Sequence, residues 1–489
     1  MTKARDLSLA SKLPLAGGTL TGNLVTKGIT SVTLGSNNLV AGSTAGDSIT
    51  SGGNGNTLLG TNAGTAVTTG GNNVSVGYNS LSSNTTAGAN VAVGYQTMLT
   101  NITGAENTAI GYEALKFNTT GSYNTASGLM ALKANTTGLY NTASGYHALK
   151  SNTTGTDNVA VGVSTLQTNT TGIRNEALGN GALYSNTSGG NNVGIGRQAL
   201  YSNTTASSNI AVGGNALFAN TTGPNNTAVG GTALMFNTTG WNNTATGMEA
   251  MKANTTGVNN VAAGKAALLA NTTGGANVAI GYQALDANTT GTDNVAVGKD
   301  AMTTNTTGIY NTACGQNAMY SHTTGNRNSG FGSHALSGTT TGTYCTAIGF
   351  NAQSSSATAS EQMTLGDANI SNLRCNDTSI SSLSDSRDKT SVIDSPYGLD
   401  FINTVRPVQF LWNTRDGNAK DGSTRIGFLA QELLAATNGN NATLDLVMDD
   451  NPDKLEAKYG NLLPIMVQAI QELSTQNAAL AARITALEA

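Results

Sequence analysis

A seventeen-residue period governs most of this chain and limits what it can fold into. One copy runs from Asn107 to Tyr123 and reads N-T-A-I-G-Y-E-A-L-K-F-N-T-T-G-S-Y. One slot of the period holds Asn84, Asn101, Asn118 and every seventeenth residue to Asn305, fourteen asparagines in all; His322 and Thr339 then take the slot. Another slot holds glycine from Gly60 through Gly77, Gly94 and Gly111 to Gly349, eighteen times without exception. A run of loops does not keep such spacing. A stacked, quasi-one-dimensional array does. With 61 glycines and only 10% charged residues, the composition alone would suggest low complexity. The strict order of the repeat argues against that.

The residues within the period indicate the kind of array. Before each ladder glycine lies a short alternating segment. Val91 and Val93 share one face, as do Val159 and Val161 or Val278 and Ile280, while Ala92, Ala160 and Ala279 point to the other. A period of two with β-branched residues means a strand. The pairs Ala114–Leu115 and Ala148–Leu149 are expected to start a second short strand, and N-T-T-G to turn the chain back. Seventeen residues then make one coil of a β-solenoid with two strands, one or two Val or Leu per coil pointing inward. Stacked asparagines can bond amide to amide along the array, and threonine hydroxyls likewise. That accounts for the constant asparagine without a ligand. These asparagines also stand in N-x-[ST] sequences, but glycans would break the stack. At about 4.8 Å per coil the eighteen glycine slots would span roughly 85 Å. A thin rod of small residues is a weak core for one chain, so three chains side by side are expected. The repeat, over about 56–350, resembles the head repeats of YadA-type trimeric adhesins, which share the N-x-A-x-G core. That resemblance implies a trimeric β-roll.

Composition excludes several functions. A net charge of −4 offers no basic field for nucleic acid and no polybasic run for a membrane. Cys314, Cys345 and Cys375 show neither paired nor metal-ligand spacing, and no cofactor or metal is expected. No apolar stretch approaches the ~18 residues of a membrane span, and Met1–Lys12 lacks the apolar run of a signal peptide. Glycan cleavage needs paired carboxylates. The acids of the repeats, Glu106, Glu113, Asp157, Glu176, Glu249, Asp286, Asp293 and Asp300, are expected to share no common slot.

The two ends differ from the repeats. Residues 1–55 lack the register and form an N-terminal attachment or cap segment. Within them Leu13–Leu24, L-P-L-A-G-G-T-L-T-G-N-L, resembles a segment found near the start of phage tail fibre proteins. Residues 351–383 are irregular and suit a distal tip or linker. From Ser384 to Ala489 the chain carries 9 Lys and Arg and 14 Asp and Glu, the composition of an ordinary small α+β domain. Strands are expected at Val408–Trp412 and Arg425–Phe428, followed by helix. From Tyr459, Leu463, Met466, Ile470, Leu473, Asn477, Leu480, Ile484 and Leu487 alternate at spacings of three and four. That is a coiled-coil seam with one polar position, Asn477.

The ordered motifs S-D-S-R-D-K (384–389), G-L-D-F-I-N-T-V-R-P-V-Q-F-L-W, G-F-L-A-Q-E-L and Y-G-N-L-L-P-I-M-V-Q-A-I-Q-E-L resemble the intramolecular chaperone domain of endosialidases, the peptidase S74 family. The resemblance covers 384–489. It implies self-cleavage between Leu383 and Ser384, with Ser384 and Lys389 as the catalytic pair and Asp385 and Arg387 in supporting roles. A serine hydroxyl needs a base, and a desolvated lysine can serve; Asp388 beside it would oppose that by keeping the lysine charged. The expected protein is therefore a homotrimeric phage tail fibre or tailspike, made in the host cytoplasm and carried on the virion. Its N-terminus would bind other tail proteins, and it would contact a host receptor, a glycan or outer-membrane component. A bacterial trimeric surface adhesin and a glycan-degrading tailspike are the alternatives.

Overall fold

The computed structural model describes residues 36–370, 384–411, 424–453 and 455–488. They fall into two units, Met1–Gln283 and Ala284–Ala489. The first carries three-residue strands from β1 (Leu39–Ala41) and β2 (Thr57–Leu59) to β15 (Val278–Ile280). Consecutive strands pair in parallel, each residue opposite its counterpart in the next copy of the repeat: Val91 faces Thr108, Ala92 faces Ala109, Val93 faces Ile110. The second unit continues the pattern from β16 (Val295–Val297) through β19 (Thr346–Ile348) to β20 (Met363–Leu365), with Thr346 opposite Met363. The chain is thus mainly β, a parallel β-solenoid of seventeen-residue coils.

The stacking runs beyond residues 56–350 at both ends. β1 pairs with β2 one residue out of the strict period, Leu39 opposite Thr57, so the period alone overlooks it. At the other end Gly366 holds the glycine slot one period past Gly349. The acids also obey the register more than expected. Glu106, Asp157, Asp293 and Glu361 share one slot, and Glu113, Glu249 and Asp300 another. Within either unit, same-slot acids lie at least three coils apart, roughly 14 Å at the usual strand spacing. That exceeds the reach of a glycosidase carboxylate pair.

Two further expectations are corrected. Each coil has one strand, not two. The Ala-Leu segment is not extended, because Glu113 and Leu115 sit at φ 54° and 51°, in the left-handed region. The inside of the strand is also the reverse of the one expected. Ala92, Ala109 and Ala160 are fully buried, whereas the flanking residues Ile110, Val159 and Leu178 are exposed. The coil cross-section is filled by two alanines, one Leu or Met and two asparagines, as in Ala109, Ala114, Leu115, Asn107 and Asn118. In a coil so filled no room remains inside for a β-branched side chain on the strand; the first two coils are filled differently, with Val40 and Leu58 at the inward strand position.

The ladder glycine has two physical causes. Gly94 lies at φ +139°, and a Cβ there would stand 2.4 Å from the Gly111 carbonyl oxygen of the next coil. Both the backbone shape and the approach of the adjacent coil exclude a side chain.

Two asparagine ladders run through each unit. In the expected one, Asn118 Nδ2 donates to Asn101 Oδ1 at 2.7 Å and to Gly121 O at 2.8 Å. The second holds seventeen positions from Asn56 to Asn328, one just before each strand from β2 to β18. There Asn124 donates to Asn107 Oδ1 from its backbone N at 2.9 Å and from Nδ2 at 3.1 Å, and Nδ2 also reaches Gly138 O at 2.9 Å. Every ladder asparagine of both sets is buried, and buried amides are stable only when bonded in this way. Threonines add a third file, but hydroxyl to carbonyl: Thr119 Oγ1 donates to Thr136 O at 2.9 Å.

The second unit ends in a small α+β region. α1 (Leu399–Ile402) leads to an antiparallel pair, β21 (Val408–Leu411) and β22 (Thr424–Gly427). Trp412 lies outside the described residues. Then come α2 (Ala430–Ala436), α3 (Asn441–Leu444), a two-residue hairpin of β23 (Val447–Met448) and β24 (Glu456–Ala457), and α4 (Leu462–Glu488), 27 residues long. Tyr459–Asn461 form a 3-10 turn rather than the start of the helix. Pro464 sits in the first turn of α4, where no backbone N–H is missed. The core gathers Leu433, Leu444, Leu446, Val447, Leu462 and Ile465.

Candidate functional site

The motif 384–389 folds back on itself. Asp385 caps a 3-10 turn at Ser386–Asp388 by accepting from Arg387 N, and Lys389 N closes the turn on Ser386 O at 3.3 Å. One tight turn between them brings Ser384 and Lys389 into contact. Lys389 Nζ lies 2.5 Å from Ser384 Oγ. Both side chains are exposed in the single chain. The same turn sets Arg387 against Asp385 in a fork, Nε 3.0 Å from Oδ1 and a terminal nitrogen 2.5 Å from Oδ2. The Arg387 guanidinium holds the Asp385 carboxyl below its usual range, and Asp385 raises Arg387 in return. So the structure brings Ser384 to Lys389 and Asp385 to Arg387 as two adjacent pairs. Leu383 and the side chain of Asp388 lie outside the described residues.

The seam residues share one helix. α4 has two apolar faces along its N-terminal half. Leu462, Ile465 and Ala469 are buried against their own domain, while Leu463, Met466, Ile470, Leu473, Leu480, Ile484 and Leu487 are exposed. Leu399 and Ile402 of α1 join Met466, Ile470, Leu473 and Asn477 of α4 around one apolar groove. The two helices are fastened by Glu472, whose Oε2 accepts from Leu399 N at 2.7 Å while Oε1 accepts from Gln468 Nε2 at 3.1 Å. The Leu399 N–H, with help from Gln468, holds the Glu472 carboxyl below its ordinary value. Sequence reasoning missed Glu472. Its partner Leu399 is 73 residues away, and nothing local marks it.

Elsewhere, Cys314 and Cys345 carry free thiols, and Cys375 lies outside the described residues. No described helix is long and apolar enough to cross a membrane. Among the described residues no three His, Cys, Asp or Glu side chains gather as metal ligands.

The family described as chaperone of endosialidase, Peptidase_S74, matches residues 384–441. The match opens on Ser384 and runs through the Ser384–Lys389 turn, α1 and both strands of the antiparallel pair to the first residue of α3. No curated protein matches the chain. A chaperone-of-endosialidase domain at the C-terminus, behind about nineteen turns of solenoid, fits a tailspike or fibre with a C-terminal chaperone.

Proposed function

We propose that this chain is a phage tail fibre or tailspike subunit. Its residues 384–489 align three copies and then detach by cutting the Leu383–Ser384 bond. The observation that carries this reading is the 2.5 Å Ser384–Lys389 contact inside the matched chaperone segment. Ser384 follows the scissile bond, so its hydroxyl reaches the Leu383 carbonyl through a five-membered ring. In its amine form Lys389 takes the hydroxyl proton as Oγ attacks the carbonyl carbon, and returns it to the Ser384 nitrogen as the C–N bond breaks. Water then hydrolyses the resulting ester, leaving a Leu383 carboxylate and a free Ser384 amine and hydroxyl. Asp385 and Arg387 hold the turn. In this reading oligomerisation packs around the pair, which the single chain leaves exposed, and so ties the acyl shift to assembly.

Homotrimerisation is supported by the unpartnered seam of α4 and by the exposed apolar strand flanks, Leu178 and Ile195 in one unit and Phe331 and Ile348 in the other. Contiguous exposed apolar rows mark interaction surfaces. In this reading 1–55 attach to other tail proteins on the virion. The region up to 383 faces the host receptor, a glycan or outer-membrane component, and the chain is made in the host cytoplasm. Full-length protein on denaturing gels should show two fragments and the Ser384→Ala variant one. Mass spectrometry should place the larger fragment's C-terminus at Leu383. An intact wild-type chain in assembled oligomers would refute the cut.

A further inference from the structure

The last coil of the solenoid has an open edge. β20 pairs with β19, and among the described residues no strand pairs with its other side. An open strand edge invites wrong partners and is normally covered. At this edge the second asparagine ladder changes character. Cys345 takes the slot after Asn328. Its backbone N still donates to Asn328 Oδ1 at 2.8 Å, and its thiol lies 3.2 Å from Ala359 O, where an amide would have bonded. With no side-chain carbonyl at Cys345, the ladder cannot hand on to the next rung.

The next rung is Gln362, one carbon longer than asparagine, and it bonds outward instead. Its Oε1 accepts from Ser355 N at 2.9 Å. Its Nε2 donates to Ser355 Oγ at 2.7 Å, and it contacts two residues of the α+β region, Asp450 Oδ2 at 3.0 Å and Met448 Sδ at 3.4 Å. Ser355 Oγ donates to the same Asp450 oxygen at 2.5 Å, and Asn451 Nδ2 donates to Ser355 O at 2.8 Å. Met448, Asp450 and Asn451 belong to the β23–β24 hairpin. A cleft lined by Phe350, Met363, Leu365, Met448 and Glu456 lies between hairpin and coil. In sequence Gln362 and Asp450 stand 88 residues apart.

We propose that the β23–β24 hairpin is a docking element for the end of the solenoid, and that the terminal coil, through Ser355 and Gln362, is its binding site. The ladder ends here with its direction reversed: Gln362 donates to the Asp450 carboxylate instead of accepting from a next amide. The contact gives stacking a fixed first coil. This rests on the chaperone reading of 384–489 but not on trimerisation or on the cut. All the contacts are non-covalent, so they hold the hairpin on the coil in the uncut chain and leave nothing covalent to prevent its release once the Leu383–Ser384 bond is broken.

The test uses full-length protein and three variants. Gln362→Glu sets a carboxylate against Asp450. Asp450→Asn alone keeps an acceptor at that position. The double variant Gln362→Glu with Asp450→Asn exchanges donor and acceptor and restores the bond. Hydrogen exchange in 355–366 and 447–457 should quicken by about tenfold in Gln362→Glu, the scale of one lost charge-assisted bond, and return to wild-type rates in the double variant. Unchanged rates in Gln362→Glu, or a change the double variant does not reverse, would overturn the proposal. If Gln362→Glu fails to fold, a second measurement decides. Ser355→Cys with Asp450→Cys should form an intrachain disulfide in folded protein, and its absence would equally overturn the docking. Light scattering on the same samples separates the two ideas: a monomer with coupled exchange would sink the trimer and leave the docking intact.

Discussion

His322 interrupts the first asparagine ladder, and replacing it with asparagine tests what the ladder contributes. The imidazole is fully buried, and Nε2 lies 2.8 Å from Gly325 O, copying the bond from Asn305 Nδ2 to Gly308 O. It supplies no amide to the rung before it. Asn305 Oδ1 and His322 Nδ1 are both buried without a partner. In the His322→Asn variant, the new amide should bond Asn305 Oδ1, worth about 1 kcal/mol net. The gain is no larger, because Thr339 then leaves the new carbonyl as the orphan and the smaller side chain loosens packing. The pH dependence is the sharper signal. Burial pushes the His322 pKa down, against the raising effect of the Gly325 and Thr339 backbone groups. The unfolded chain therefore binds a proton that the folded chain resists. Wild-type stability should fall as pH drops below the ordinary histidine value of about 6.5, by up to about 1.4 kcal/mol per unit, until the folded group also titrates. The variant should lack this loss. His147, also lowered by burial, is common to both proteins and cancels. Urea unfolding followed by circular dichroism at pH 7.5 and 5.5 measures the difference. Parallel curves for the two proteins would refute the argument that a buried neutral imidazole occupies the rung.

Other substitutions probe single features. Asn118→Ala leaves Asn101 Oδ1 and Asn135 Nδ2 each short of a ladder partner and should cost about 2–4 kcal/mol by the same unfolding assay. Gly94→Ala drives a methyl into the Gly111 carbonyl at positive φ; a loss of at least about 2 kcal/mol or outright insolubility is expected. Glu113 is buried and raised by desolvation, but its ion pairs with Lys116 at 2.6 Å and Lys133 at 2.7 Å outweigh this and lower it. Their stabilisation is present above the ordinary carboxylate range and fades as pH falls through it, so Glu113→Gln should destabilise at pH 7 and flatten the acid limb of the stability curve. Gly398→Ala would collide with the Glu472 carboxylate; it should free the Leu399 N–H and speed its hydrogen exchange.

The sequence discloses period, strand and glycine slot directly because each is a spacing. It does not disclose which face of the strand is inside. Alternation separates Val91 and Val93 from Ala92 but assigns neither face to the core, and bulk suggested valine. The alanine-lined coils are too narrow for that, and only the stacked structure shows it. Asn56, Asn73 and Asn90 keep the same period in the sequence, but the backbone N–H bonds that make them a second ladder exist only between stacked coils. The left-handed Leu115 was not legible at all, since leucine rarely adopts positive φ. At the candidate site, the family likeness gave Ser384 and Lys389 and the turn supplied the contact. Glu472 and the Gln362–Asp450 bond join distant segments, so no local pattern announces them.

The repeat makes register the central folding problem. Within the coils, each ladder asparagine meets an identical residue, so a slip by one coil exchanges equal bonds for equal bonds. The ladders lose their uniformity at both ends: Val67 holds the first ladder's slot ahead of Asn84, and His322, Thr339, Cys345 and Gln362 interrupt the ladders in the last coils. These are the rungs that distinguish one register from another, and Gln362 is bonded to a residue of the domain that follows. Register marks therefore sit in the end coils, and those of the last coils lie beside the chaperone domain. A uniform shaft with a marked end can be built correctly if assembly begins at the mark. The same shaft begun elsewhere has little to correct it. This argument predicts an asymmetry between the ends: substitutions at Ser355, Gln362 or Asp450 should lower the yield of well-formed protein more than equally buried substitutions at Asn73 or Asn90, even where the loss in final stability is the same.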